Sequence, residues 1–118
     1  MGFLGKLFGK GGPQDPPPPE QAVIVSFRYG QGSLDPLTAL EDQLEQAIER
    51  AKVGEYDGNE VAVDGSDGTL YMYGPSADKL FEVVRPILEK TPFMTGATAC
   101  LRYGPPEDGV RETKVTLR

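Results

Sequence analysis

Apolar residues recur at Leu37, Leu40, Leu44, Ala47, Ile48 and Ala51, three or four apart, directly behind an Asp35-Pro36 pair. That spacing puts one oily stripe on a helix, which has to be buried against another element. Asp35 offers an N-cap acceptor and Pro36 fits the first helical turn. Gly54 supplies a stop, so the reading predicts a helix over about 36–52. A second stripe, Leu80, Phe81, Val84, Ile87 and Leu88, follows Gly74-Pro75-Ser76, with Ser76 or Gly74 as cap. Pro86 lies inside it and is expected to kink or shorten that helix.

Between and around these stripes the period changes from helical to two. Val23, Val25, Phe27 and Tyr29 alternate with Ile24, Ser26 and Arg28, which predicts a strand. Val61 and Val63 form a short strand. Asp64-Gly65-Ser66-Asp67-Gly68 is a turn, and Thr69 to Tyr73 returns as the other arm of a hairpin. Ala97 to Tyr103 and Val110 to Leu117 add two strands around a Gly-Pro-Pro connection. The order is β-α-β-β-α-β-β. It predicts an α+β fold, a ferredoxin-like split βαβ in which an antiparallel sheet carries both helices on one face and a fifth strand extends one edge.

The domain is expected to span 21–118. Residues 1–20 read as an amphipathic and Pro-rich tail. Phe3, Leu4, Leu7 and Phe8 share one helical face, and Gly11 to Pro19 form a linker with polyproline II character. The apolar cluster suits peripheral membrane attachment or docking on a partner. It is too short and too interrupted for a secretory signal peptide, and the chain reads as cytoplasmic.

Composition narrows the chemistry. The 118 residues contain no His, no Trp and one Cys, Cys100. That removes Ser-His-Asp and Cys-His catalysis, His-ligated metal, a Cys-based zinc site and an internal disulfide. The formal charge of -6 argues against neutralising nucleic-acid phosphates. From Asp35 to Asp78 there are eleven acids and two bases; from Lys79 to Arg118, five and seven. Such asymmetry concerns partners rather than fold.

Four segments resemble sites. Gly30-Gln31-Gly32 before a helix imitates the opening of a dinucleotide fingerprint. However, Asp35 stands where the third Gly belongs and would face the pyrophosphate, so the segment reads as a capped turn. Glu55-Tyr56-Asp57-Gly58-Asn59-Glu60 and Asp64 to Gly68 are rich in carboxylates but lack calcium-loop spacing, so they read as a solvated loop and a turn. No catalytic, cofactor or metal residue is assigned. Tyr71 and Tyr73 point away from Leu70 and Met72, onto an open sheet face shared with Ile24, Ser26, Arg28, Cys100 and Arg102. Aromatic open faces are similar to single-stranded RNA platforms, but the charge balance opposes that use. Tyr and Arg also mark protein interfaces. The expected contact residues are therefore Arg28, Tyr71, Tyr73 and Arg102 on the face, with Glu55, Asp57 and Glu60 beside it. Cys100 has no strongly basic surroundings and reads as a structural thiol.

The run Glu55 to Glu60, followed by Leu70-Tyr71-Met72-Tyr73-Gly74-Pro75, Ala77-Asp78, Leu80-Phe81 and Pro86, resembles a family of small acidic bacterial proteins. The likeness covers about residues 21–104. That family is uncharacterised, so the likeness implies a bacterial cytoplasmic origin and carries no activity.

These features predict a non-enzymatic protein-interaction module with a protein partner or self-association, such as an immunity-type inhibitor that covers a basic site. Two alternatives are a small-molecule sensor, with ligand between the helix starts and the loops at Gly30 and Gly74, and a carboxylate enzyme using Asp57 and Glu60 with a divalent ion.

Overall fold

A computed structural model describes residues 20–118. The expected helix and linker of the tail lie outside the described residues, except Glu20.

Strand β1, Gln21–Arg28, leads into helix α1, Asp35–Ala51. The β2 strand, Glu55–Val61, and β3, Asp67–Gly74, form a hairpin. Helix α2, Ala77–Glu89, is followed by a 3-10 turn at Pro92–Met94, then by β4, Thr98–Arg102, and β5, Glu112–Thr116. All five strands join one sheet in the order β2-β3-β1-β4-β5, and every neighbouring pair is antiparallel. The fold is α+β, with five antiparallel strands and two helices. The fifth strand means that the order is not that of a bare four-stranded sheet.

The register explains where the core sits. Val23 faces Met72 on one side and Leu101 on the other; Val25 faces Leu70 and Ala99. These residues are buried together with Leu37, Leu40, Leu44 and Ile48 of α1 and Leu80, Phe81, Val84 and Leu88 of α2. Each helix thus spends its apolar stripe on the same side of the sheet. Phe27, Tyr29 and Phe93 meet as an aromatic trio at one end, with ring centroids 5.1–6.2 Å apart. Edge and tilted arrangements of this kind satisfy the ring quadrupoles.

Local expectations need four corrections. Helix α1 begins at Asp35 itself, with Leu34 at the N-cap, and the Asp35 amide donates to the hydroxyl oxygen of Ser33. Tyr29 reinforces this start: its hydroxyl donates to the Ser33 carbonyl and accepts from the Leu37 amide at 3.2 Å. Pro86 does not end α2 at the preceding residue: the helix runs on through it to Glu89, although Pro86 lacks the amide that would bond to the Glu82 carbonyl. The run Glu55 to Glu60 is not a loop but most of β2, and Val63 lies in the turn rather than the strand. A bulge between Tyr56 and Gly58 hides this strand from a period-two reading.

Candidate functional site: the sheet face opposite the helices

The pairing register lays the second sheet face out in rows. One row runs Glu55, Tyr73, Ala22, Arg102, Glu112. The next runs Gly58, Tyr71, Ile24, Cys100, Lys114. The third runs Glu60, Thr69, Ser26, Thr98, Thr116. No helix or strand among the described residues is stacked on this face, and Ile24, Tyr71, Tyr73 and Cys100 are partly exposed. The centre is aromatic and aliphatic, the β2 border is acidic, and the β4–β5 border carries both signs.

The expected contact residues fall into separate places. Tyr71 and Glu60 meet: the Tyr71 hydroxyl donates to Glu60 Oε1 at 2.5 Å. That bond raises the Tyr71 pKa above its ordinary value, because the phenolate would face a carboxylate. Tyr73 and Glu55 are cross-strand partners in the first row. Arg102 shares that row but is 9% exposed, and its Nε donates to the Gly104 carbonyl at 2.7 Å. It buttresses the border rather than reaching outward. Arg28, opposite Asp67, lies at the other end of the sheet, six residues along β1 from Ala22, or about 20 Å at strand rise. Asp57 sits exposed in the bulge, outside the ladder. The thiol pKa of Cys100 is raised, first by burial and then by Glu112, so its thiolate is disfavoured.

Sequence reading missed the network that braces the acidic border from behind. Tyr56 sits on the helix side of β2, and its hydroxyl donates to Glu41 Oε2 at 2.6 Å; Asn59 Nδ2 donates to the same oxygen at 2.6 Å. Burial, then the Glu41 hydrogen bond, pushes the Tyr56 pKa well above 10. A helix-facing Tyr at position 56 was findable only by allowing for the bulge.

The alternative sites stand as follows. Gly74 pairs with Gln21 at one end of β1, whereas Gly30 follows Arg28 at the other, so one small ligand cannot touch both. An open groove of about 520 Å³ does lie at the Gly30 end, between Tyr29–Leu34 and the Val61–Gly65 turn. Among the described residues, no three His, Cys, Asp or Glu side chains gather in a metal-holding group.

Comparison with protein-family models, curated proteins and solved structures finds no match to this chain. The sheet face therefore has to be interpreted from its own chemistry.

Proposed function

We propose that this chain is a non-enzymatic protein-interaction module that meets a folded partner with the sheet face opposite its helices. The reading rests on one observation above all: Ile24, Tyr71 and Tyr73 stand together on a face that no described element covers. Tyrosine contributes large contact area with few torsions to freeze, which suits an interface centre. The border of Glu55, Asp57 and Glu60 steers a basic partner toward that centre, in the manner of an immunity-type inhibitor covering a cationic site. In the same reading, β2-β3-β1-β4 is a split βαβ unit with β5 appended to its edge, and the protein works in the cytoplasm. The bait experiment compares the native chain with the Tyr71→Ala/Tyr73→Ala variant in host extract. A protein held by the native chain at low salt, weakened by added salt and lost with the variant supports the module. Equal retention by both baits overturns it.

The groove beside Leu34 and Val63, which are 58% and 108% exposed, favours a second reading as a small-molecule sensor. A metabolite panel tests it by melting temperature, which must rise for any ligand that binds only the folded state.

A further inference from the structure

The two borders of the sheet differ in a way that selects a partner. In β2 the ladder is interrupted at the bulge, and Glu55, Asp57 and Glu60 line the edge. A second β2 laid beside it would meet acid with acid. The β5 strand has no bulge, and its single acid, Glu112, stands beside Lys114. It pairs with β4 without a register shift from Glu112 to Thr116, and Glu112, Thr113, Lys114 and Thr116 are exposed. Antiparallel ladders alternate between residues that bond inward and residues that bond outward. The Tyr103 amide donates to the Arg111 carbonyl, and the Leu117 amide donates to that of Ala97. By that alternation, the amides and carbonyls of Glu112, Lys114 and Thr116 point away from β4.

Such an edge is a template for another strand. Its charges say which strand. Glu112 and Lys114 are two residues apart, on the same face and with the same outward bonding phase. Among the described residues, neither forms an ion pair. We propose that two copies of this chain associate through antiparallel pairing of their β5 edges, with Glu112 of each copy opposite Lys114 of the other. Thr113 then faces its own counterpart on the two-fold axis. Of the symmetric registers that stay within Glu112–Thr116, this one alone puts opposite charges together. Centring on Lys114 stacks Lys114 on itself and leaves Glu112 against Thr116, centring on Val115 sets Lys114 against Thr116, and centring on Glu112 stacks two acids. Glu112 would also lie between Lys114 of the second copy and its own cross-strand neighbour, Arg102. The axis is perpendicular to the sheet, so the ten-stranded assembly keeps all helices on one side and joins the two open faces on the other. The inference stands apart from the proposed partner contact, because it uses an edge rather than the face.

Sedimentation velocity of the full chain over a concentration series tests it. The native chain should move from monomer toward dimer as concentration rises. Glu112→Lys and Lys114→Glu each convert two attractive cross-strand pairs into two repulsive ones, and each should weaken association about tenfold or more. The double variant Glu112→Lys/Lys114→Glu should restore it, whereas Tyr71→Ala/Tyr73→Ala should leave it unchanged. Circular dichroism of every variant establishes that the fold is kept. A native chain that stays monomeric at the highest concentration overturns the proposal. So does a double variant no better than the singles, or a dimer abolished by the tyrosine substitutions.

Discussion

The hydroxyl of Tyr56 on β2 donates to the Glu41 carboxylate on α1 at 2.6 Å, tying the bulged edge of the sheet to the helix behind it. Tyr56→Phe keeps the ring and removes the bond, so it should cost about 1 kcal/mol near neutral pH. The pH dependence has a definite sign. The folded-state pKa lies above the ordinary 10, raised by burial and then by Glu41. The bond's contribution is therefore complete below pH 10 and is lost as the unfolded phenol ionises above it. Urea midpoints of the native chain and Tyr56→Phe should differ at pH 7 and converge beyond pH 10. A difference that stays constant through that window would separate Tyr56 from the effect.

Gly68 is required by the ring that covers it. A Cβ at this position would lie 2.5 Å from Phe27 Cζ, and Phe27 is its direct cross-strand partner. The ring is held in turn by Tyr29 and Phe93, so it cannot simply swing away. Gly68→Ala should cost about 1–3 kcal/mol through overpacking. Combining it with Phe27→Leu should cost less than the sum of the two single changes, since the smaller side chain makes the room. Additive losses in denaturant melts would show that the clash is relieved elsewhere.

A harsher constraint sits where α1 hands over to β2. Gly54 has φ of 147°, and a Cβ there would lie 2.0 Å from the Tyr73 carbonyl oxygen. The neighbouring obstacle is backbone, not a movable side chain. Gly54→Ala should cost about 3 kcal/mol or more, or prevent folding, because strain and clash act together. A melting temperature within a few degrees of the native value would contradict this local geometry.

The element order was legible because both helices advertise themselves: a Leu37-to-Ala51 stripe and a Leu80-to-Leu88 stripe have only one way to bury. The alternation of Val23, Val25 and Phe27 likewise survives into the core. What escaped reading involves parity and long-range bonds. Tyr56 and Val61 are five apart, which would put them on opposite faces of a regular strand; the bulge brings both to the helix side, opposite Met72 and Gly68. Carboxylates at Glu55, Asp57 and Glu60 then made the same run look like a loop. Arg102 was expected to reach outward, but its bond to the Gly104 carbonyl is a property of the folded turn that no local pattern encodes. The rows of the open face followed from strand order, whereas their separation from Arg28 needed the register.

Cys100 reports on the open face from its central row. The thiol lies in the central row beside Ile24 and opposite Lys114, partly exposed. Its pKa is raised above the ordinary 9, first by burial and then by Glu112. The thiolate is the reactive form, so alkylation at pH 8 should be several-fold slower than that of an unstructured cysteine and should accelerate as pH passes 9. Glu112→Gln removes a negative neighbour and should speed the reaction at pH 8. A bulky maleimide on Cys100 should leave the melting temperature nearly unchanged, since the core lies on the other side of the sheet. The same adduct should block any partner that uses Tyr71 and Tyr73. Rapid labelling at pH 8, or global unfolding on labelling, would mean that the thiol stands in a different setting from the one its row assigns.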